Sequence, residues 1–310
     1  MIELSDRSFS RIGIVIVNYN TSDQILICLN SIRDIDNYSI VVIDNFSPND
    51  DLSELQAKFS TITIIKLTDN VGFGAGCNIG AEYIFKNKEF QFVLFLNPDT
   101  IVSADAIHLL VSAFESEYTG AVVPKIVTTS EPPLIWYAGG DINWWKGSGS
   151  IPLYGKNAND KYDSITHEVT FATGCALMLS RSAFNSTQGF DEKYFMYEED
   201  AELSLRLLGN GFRIKYVPDA LVFHVGQGSQ EVSARSIGMY HPKNPKLPFF
   251  VFYVCRNRLY TIKRHGNFIK TSMFIIGFSF WLIKRMIVWV INGRFDAVRA
   301  AFSGMLAAGR

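Results

Sequence analysis

Residues 12–45, IGIVIVNYNTSDQILICLNSIRDIDNYSIVVIDN, contain the pattern that decides the fold. Continuous apolar residues at 12–17 and 40–43 predict two strands, and the intervening helical pattern at 23–32 predicts a helix. Strands without polar alternation are typical of a parallel sheet that is covered on both faces. The segment therefore predicts a β-α-β unit of an α/β protein.

The same alternation continues along the chain. Further strands are predicted at 62–66, 92–96 and 121–126, and further helices at 51–59, 75–85 and 104–114. In such sheets, ligands bind beyond the carboxyl ends of the strands. Six polar residues fall at those ends: Asn18, Asn20, Asp44, Asn45, Asn97 and Asp99. The pattern predicts a ligand site along this edge.

A second polar group lies within residues 171–224. Glu198, Glu199 and Asp200 stand at the start of an amphipathic helix, and His224 ends a later apolar strand. The helix dipole alone favours acidic residues in a first turn, so a simple charge cluster is an alternative. That alternative does not explain the aromatic residues around the acids, which are Phe190, Tyr194, Phe195 and Tyr197. With Asp99, the group indicates a metal-assisted transfer site.

Composition indicates one large α/β domain with an appendage in a chain of 310 residues. The four cysteines are scattered through apolar segments without a C-x-x-C pair, which is typical of free thiols in a reducing compartment. The first residues carry both charges and lack the pattern of a signal peptide. We therefore expect a cytoplasmic protein.

Charge is strongly segregated along the chain. From residue 243 onward there are twelve Lys or Arg and one acid, Asp296, which gives +11 against −12 for the rest. This tail is apolar and has no nucleic-acid motif, so it predicts binding to an anionic membrane surface. The apolar run at 273–283 is shorter than the roughly 20 residues needed to span a bilayer. It predicts an interfacial helix, with a buried helical hairpin in a dimer as the alternative.

Two segments depart from the alternation. Residues 128–168 are rich in Gly, Pro and Trp and predict a long insertion, a kind of loop that is usually functional. Trp136, Trp144 and Trp145 in this insertion could instead cover a hydrophobic surface. Residues 226–245 predict a mobile loop before the tail.

The chain resembles family 2 glycosyltransferases, in particular the rhamnosyltransferase-like branch of bacterial polysaccharide assembly. The resemblance covers nearly the whole sequence. It rests on the order of the motifs IVIVNYN (14–20), VVIDN (41–45), NVGFGAGCN (70–78), LNPDT (96–100), YAGG (137–140), TG (173–174), GFD (189–191), ED (199–200) and His224. It implies a GT-A fold, a mostly parallel α/β sheet with helices on both faces. The catalytic domain is then expected at residues 8–240, and a helical, basic, membrane-associating tail at 241–310.

The resemblance implies an inverting transferase in cell-surface polysaccharide assembly, such as that of O-antigen or cell wall. The expected reaction moves L-rhamnose from dTDP-rhamnose to a glycan or lipid-linked acceptor on the inner face of the cell membrane. A UDP-hexose donor is an alternative, and a non-catalytic glycan-binding protein is another. A sugar-phosphate nucleotidyltransferase would need a Gly-rich, basic N-terminal segment, which is absent from residues 14–23.

The metal site is expected at Asp99 and His224, with Mg²⁺ or Mn²⁺ as the cation. Asp99 supplies the hard oxygen ligand that these ions prefer, and the family places a His at the position of His224. Asn97 replaces the first Asp of the family's D-x-D motif, so it is expected to contact donor hydroxyls or a metal-bound water.

The remaining residues of the site fall into two groups. Asp44 is expected to accept the imide N–H of a uracil or thymine ring. The other predicted nucleotide-sugar ligands are Asn18, Tyr19 and Asn20 in the nucleoside wall, and Asn70, Gly72 and Asn78 in the sugar-nucleotide pocket. Asn78 is placed at a helix start.

Asp200 is expected to be the general base. Three successive helical side chains lie 100° apart and cannot share one direction, and in the family's E-D motif the Asp fits this role. Glu199 is expected to position the acceptor or the backbone, and Glu198 to be a solvated charge.

Overall fold

The computed structural model describes residues 12–158, 164–225 and 238–309. One mixed sheet runs through it, and its strands are β1 (Ile12–Asn18), β2 (Ser39–Asp44), β3 (Thr63–Lys66), β4 (Phe92–Leu96), β5 (Thr100–Val102), β6 (Thr119–Thr128), β7 (Ile135–Tyr137), β10 (His167–Val169), β11 (Ala176–Ser180) and β12 (Arg213–His224). Their order in the sheet is β10-β12-β6-β11-β4-β1-β2-β3, with β5 on β12 and β7 on β6. The hairpin β8 (Asp141–Asn143) and β9 (Ser148–Ser150) forms a separate two-stranded sheet.

The half of the sheet formed by β3, β2, β1 and β4 is parallel, as predicted. Strands β1, β2 and β4 are almost wholly apolar and buried, whereas β3 is only partly buried. Helix α1 (Ser22–Ser31) packs on β1, α2 (Ser53–Lys58) follows β2 in the chain, and α3 (Phe73–Phe85) packs on β1, β2 and β4. Helix α4 (Ala106–Ser112) packs instead on β6 and β12 of the other half. Each predicted strand and helix of this half is present, with ends that differ by a few residues.

The other half of the sheet is mixed. Strand β11 lies antiparallel between β4 and β6, whereas β6 and β12 are parallel to each other. Helices α5 (Arg181–Thr187) and α6 (Glu199–Gly209) pack beside these strands. Strand β11 is not among the predicted strands, and its antiparallel insertion depends on distant pairing partners.

The insertion at 128–168 is partly regular in its described residues. It supplies β7, the β8–β9 hairpin and the start of β10. Trp136 lies against His224 with ring centroids 4.7 Å apart, and Trp144 packs against the helices of the tail. Residues 159–163, and residues 226–237 of the predicted mobile loop, lie outside the described residues.

The tail forms three helices, α7 (Leu247–His265), α8 (Phe268–Ile291) and α9 (Phe295–Ala307). Their shared core contains Val251, Cys255, Phe274 and Trp289, all almost fully buried. The domain boundary near residue 240 stays a prediction, and residues 8–11 lie outside the described range.

Helix α8 differs from its prediction. It runs for 24 residues through Lys284 and Arg285, so the expectation of a short apolar segment is wrong. Its mean hydropathy is 1.9. Among the described residues, α8 is the one helix that is long enough and apolar enough, by length and composition alone, to cross a membrane. One face of α8 leaves apolar side chains exposed: Ile276, Phe280, Ile283, Ile287 and Ile291.

Candidate active site

The carboxyl ends of the parallel strands gather polar residues at one edge, as predicted. Strand β1 ends at Asn18, β2 ends at Asp44, and Asn97 follows β4 directly. Asp44 is buried, and its Oδ1 accepts the Ser47 N–H at 3.1 Å. This bond fixes the carboxylate at the end of β2, where the resemblance predicts that it binds the uracil or thymine ring of the donor nucleotide.

The side chain of Asn18 forms all its hydrogen bonds with other residues of the protein. Its Nδ2 donates to Asp50 at 2.9 Å and to Ser47 at 3.1 Å, and its Oδ1 accepts the Thr21 N–H and hydroxyl. The side chain is therefore a support for the β1–α1 turn, which corrects the expectation that it lines the nucleoside wall. Asp50 also accepts the N–H groups of Thr21 and Ser22, and the sequence interpretation missed it.

Tyr19 and Asn20 lie on the exposed side of this turn. The Tyr19 ring is 48% exposed. Asn20 has a left-handed backbone (φ 57°), a conformation that Asn tolerates better than most residues, and its Oδ1 accepts the Asn49 N–H. Tyr19 is thus the residue of the predicted wall whose side chain remains open to a ligand.

The loop at 70–72 is held by Asn45. The Asn45 amide donates to Asn70 Oδ1 and to the Gly72 carbonyl, both at 3.1 Å, and accepts the Val71 N–H at 2.9 Å. Gly72 has a φ of 87°, and a side chain there would meet the Phe195 carbonyl at 2.2 Å. The chain's own backbone thus excludes a side chain at this position, and the approach of Gly72 to a ligand stays a prediction.

Asn78 lies in the second turn of α3, so its predicted place at the helix start is wrong. Its side chain is buried, donates to the Phe190 carbonyl at 2.8 Å and accepts the Phe190 N–H at 2.8 Å. Because both amide atoms bind this backbone, Asn78 has a packing role that joins α3 to the segment before α6.

Asp99 and His224 are brought together, although 125 residues separate them. Strand β5 begins at Thr100 and pairs with the end of β12, which places His224 Nε2 3.3 Å from Asp99 Oδ2. Burial alone would lower the pKa of His224, but Cys175 and Asp99 outweigh it and raise the pKa to about 10. His224 Nε2 and Asp99 Oδ2 thus lie within hydrogen-bonding distance of each other.

The same pair fits a divalent cation. Neighbouring ligands around an octahedral Mg²⁺ or Mn²⁺ lie about 3 Å apart, close to the separation of these two atoms. His224 Nδ1 is buried without a hydrogen-bond partner among the described residues. The described residues hold no cluster of three or more His, Cys, Asp or Glu that could hold a metal. Other ligands would have to come from donor phosphates, an arrangement usual for Mg²⁺.

The segment 173–175 links this pair to Asp200. The Gly174 N–H donates to Asp200 Oδ2 at 3.1 Å. Cys175 contacts His224, and its carbonyl accepts the Asn97 N–H at 2.8 Å. Two consecutive residues, Gly174 and Cys175, therefore contact the predicted base and the predicted metal ligand His224.

Asp200 and Glu199 occupy different environments at the start of α6. Asp200 is half-buried, and burial, with the charge of Glu198, raises its pKa to about 6 against the lowering effect of the Gly174 N–H. Glu199 is buried, and burial and Asp200 raise its pKa well above the usual value. Its Oε2 has no hydrogen-bond partner among the described residues. Asp200 is thus the carboxylate that can ionise near neutral pH.

Glu198 is not a solvated charge, contrary to expectation. It is buried, and its Oε1 accepts a hydrogen bond from Arg258 Nε at 2.8 Å. Arg258 lies on α7, 60 residues away in sequence, so the first-turn pattern alone could not reveal the pair.

Helix α7 also holds the turn that precedes Asp200. Phe195, Tyr197 and Glu198 all have left-handed backbones, which are strained for non-glycine residues. Asn257 donates to the carbonyls of Tyr194, Met196 and Tyr197 at 2.7–2.9 Å. These bonds stabilise the turn against its strain.

The aromatic residues around the acids mainly serve this packing. Phe190 lies between Phe73 and Phe95. The Tyr194 hydroxyl bonds Thr261, and Phe195 stacks on Tyr253. The aromatic residues therefore mark contact with the core and α7.

A cavity of about 240 Å³ remains beside Asp200, lined also by Tyr197, Tyr240 and Arg258.

Comparison with known proteins agrees with this geometry. Residues 13–187 match the family description "Glycosyl transferase family 2", and residues 156–226 match "N-terminal domain of galactosyltransferase". The low-salt glycan biosynthesis hexosyltransferase Agl10 of Haloferax volcanii is 28% identical to this chain. The match covers 63% of this chain and 61% of the length of Agl10. The rhamnosyltransferase WbbL of Escherichia coli is 29% identical over 68% of the chain and 82% of its own length. An N-acetylglucosaminyl-diphospho-decaprenol L-rhamnosyltransferase of Mycobacterium tuberculosis is 48% identical over 65 residues, 21% of each chain.

Solved structures share the fold at low identity. GalNAc-T7 with UDP, GalNAc and Mn²⁺ has a TM-score of 0.58 at 20% identity, over 81% of this chain and half of its own. TarS 1–349 of S. aureus has a TM-score of 0.52 at 14% identity, over 85% of this chain and 68% of its own. The mixed sheet with its helices is the GT-A fold that the motifs imply. The protein belongs to glycosyl transferase family 2.

Proposed function

We propose that the protein transfers a sugar from a nucleoside diphosphate to an acceptor hydroxyl in one inverting displacement, with Asp200 as the general base. One observation carries the proposal: Gly174 donates to Asp200, and the adjacent Cys175 contacts His224 of the Asp99–His224 pair. In a single displacement the acceptor hydroxyl loses its proton as it attacks the anomeric carbon, so a base must face the sugar opposite the departing diphosphate. The linked groups suit the two ends of that reaction.

Asp99 and His224 would hold Mg²⁺ or Mn²⁺ together with the donor diphosphate. When bound, the cation supplies positive charge that offsets the charge growing on the leaving diphosphate. Asn97, which follows β4 and is anchored to Cys175, lies next to this group and is the candidate contact for donor hydroxyls or a metal-bound water.

The nucleoside would lie along the ends of β1 and β2. The Asp44 carboxylate can accept the imide N–H that uracil and thymine share, and Tyr19 offers an exposed ring. Asn20, Asn70 and Gly72 form the loops beside them. This arrangement favours a pyrimidine nucleotide.

We assign L-rhamnose from dTDP-rhamnose as the donor, and a glycan or lipid-linked hydroxyl as the acceptor. The support is the likeness to WbbL and to the L-rhamnosyltransferase of M. tuberculosis. The protein would act at the cytoplasmic face of the cell membrane. The apolar face of α8 and the +11 charge of the tail support binding to an anionic leaflet.

A donor panel tests the proposal. The full chain is given dTDP-rhamnose or UDP-hexoses with isolated lipid-linked acceptor, and the product is read by mass. We expect rhamnose transfer that requires Mg²⁺ or Mn²⁺. Transfer from a UDP-hexose alone would correct the donor, and absence of transfer from every donor would reject the enzyme.

Metal use has a test that does not depend on turnover. Mn²⁺ with dTDP should raise the melting temperature of the wild type more than dTDP alone. At a ligand concentration of 100 Kd, linkage gives about 2.7 kcal/mol of stabilisation. Asp99→Asn should remove the Mn²⁺-dependent part. Asp105→Asn, an exposed site on the same chain segment, should retain it.

A further inference from the structure

A second cavity lies between residues 238–243 and helix α8. Its volume is about 630 Å³. Of the described residues that line it, Lys243 and Arg285 are cationic, and none is acidic. Such a lining suits an anionic group rather than a neutral sugar.

The positive charge in this cavity is not neutralised by the described part of the chain. None of the ion pairs between described residues involves Lys243 or Arg285. Asp296, the single acid of the tail, is paired with Arg294. The guanidinium of Arg285 lies over the Tyr240 ring, 5.0 Å from its centroid, which holds it at the cavity wall.

This cavity adjoins the one beside Asp200. Met239 and Tyr240 line both. Tyr240 is fixed from the tail, because its carbonyl accepts a hydrogen bond from Trp289 Nε1 at 3.4 Å and its ring packs on Trp281. A ligand passing over these two residues would reach from Arg285 to Asp200.

The far side of the cavity leads to the apolar face of α8. Val288 lines the cavity, and its neighbour Ile287 is exposed about 100° around the helix. Ile287 belongs to the exposed stripe that includes Phe280 (73% exposed) and Ile291 (78% exposed). A sugar-sized cavity beside Asp200, the cationic cavity and the apolar stripe of α8 thus follow one another.

We propose that the cavity of Lys243 and Arg285 binds the diphosphate of a prenyl-diphosphate-linked acceptor. The inference rests on the proposed function, because it assigns the acceptor of that reaction. The acceptor sugar occupies the cavity beside Asp200, the phosphates contact Arg285 and Lys243, and the prenyl chain lies along the stripe of α8. Charge complementarity and the order of the three surfaces select this ligand.

Binding of farnesyl diphosphate to the full chain tests the site, with pyrophosphate and farnesol as partial ligands. We expect farnesyl diphosphate to bind at least about tenfold more tightly than either part, since both surfaces contribute. Arg285→Gln and Lys243→Gln should each weaken it about tenfold, the loss expected for one charge-assisted contact. Arg285→Lys keeps the charge and should retain most of the affinity. Retained affinity in this variant would show that a substitution at position 285 does not unfold the protein.

Lys284→Gln and Lys246→Gln are the matched controls, because both residues are exposed and neither lines the cavity. They should bind farnesyl diphosphate within about twofold of the wild type. Equal losses in all four Gln variants would overturn the site, since attraction to the basic surface as a whole predicts them. Equal competition by phosphatidylglycerol vesicles would also overturn it, because the ligand would then be a membrane headgroup.

Nucleotide binding separates this inference from the proposed function. The wild type and the four Gln variants should bind dTDP with equal affinity. A wild type that binds neither dTDP nor UDP would reject the proposed function. Normal dTDP binding without a preference for farnesyl diphosphate would overturn the acceptor site alone.

Discussion

Arg258 on α7 donates from Nε to Oε1 of Glu198 at 2.8 Å, and both side chains are about nine-tenths buried. The pair joins the tail to the residue two positions before the proposed base. The guanidinium also lies over the Trp281 ring of α8, 5.3 Å from its centroid. One buried cation therefore connects the helix with the exposed apolar face to the turn that carries Asp200.

Removal of this cation should destabilise the protein. Arg258→Ala leaves Glu198 charged in a buried place, and loss of one partner of a buried pair costs about 3–5 kcal/mol. Urea unfolding measures the change. The double variant Arg258→Met with Glu198→Gln removes both charges and should recover a large part of the loss. If Arg258→Ala unfolds like the wild type, the pair contributes nothing to stability.

Asp200→Asn should lower turnover by about 10²–10⁴-fold, the usual contribution of a general base, while dTDP binding stays within about twofold. Glu199→Gln is the matched control. Burial and the neighbouring Asp200 raise the pKa of Glu199 and so favour its neutral form, and an amide of the same shape should therefore keep most of the turnover. The opposite ranking, with Glu199→Gln inactive and Asp200→Asn active, would show that Glu199 is the base.

The pH dependence of kcat/KM should show an acidic limb near pH 6. Burial raises the pKa of Asp200 to about 6, and only the ionised carboxylate accepts a proton. Activity is therefore full above this pKa and falls as the pH drops through it. The residual activity of Asp200→Asn should lack this limb. A wild-type limb that stays near pH 4 would place the titration on an unperturbed carboxylate.

Asp44→Ala should weaken dTDP and UDP binding by about ten- to a hundredfold, since a buried hydrogen bond to a charged group contributes about 1.5–3 kcal/mol. Calorimetry measures the affinity. Asp23→Ala, an exposed carboxylate on α1, serves as the control and should bind like the wild type. Unchanged affinity in Asp44→Ala would remove this residue from the nucleoside site.

Membrane binding should depend on the exposed stripe of α8. Phe280→Ser together with Ile287→Ser should reduce sedimentation with phosphatidylglycerol vesicles, because burial of these side chains in lipid drives the association. Phe268→Ser, a similarly exposed residue outside the stripe, is the comparison. Equal sedimentation of the double variant and the wild type would contradict an interfacial role for this face. Deletion after His265 is a poor alternative, because α9 packs against α7.

The sequence predicts the parallel half of the fold well. Strands β1, β2 and β4 are uninterrupted apolar runs that end in polar residues, so both their existence and their ligand edge follow from local patterns. The antiparallel entry of β11 between β4 and β6 depends on partners that lie 56–88 residues earlier, and no local pattern encodes it.

The site was predicted unevenly for the same reason. The proximity of Asp99 to His224 follows from motif order, and the structure brings them within 3.3 Å. Asn18 and Asn78 were placed among the ligands because polar residues near a ligand edge resemble ligands in sequence. Their amides in fact bind Asp50 and the Phe190 backbone, which is visible only once the chain is folded. The partnership of Glu198 with Arg258 joins residues 60 positions apart, so no local pattern indicates it.

The three hydrogen bonds from Asn257 to the turn at 194–197 have a consequence for how relatives of this enzyme can exchange parts. A graft that carries only the C-terminal helices from another family member would bring a foreign α7 against a strained turn shaped for this one. Functional chimeras should therefore require that the segment 189–200 travel with its own helix. The two stretches should behave in recombination as one inherited block, although more than forty residues separate them in the chain.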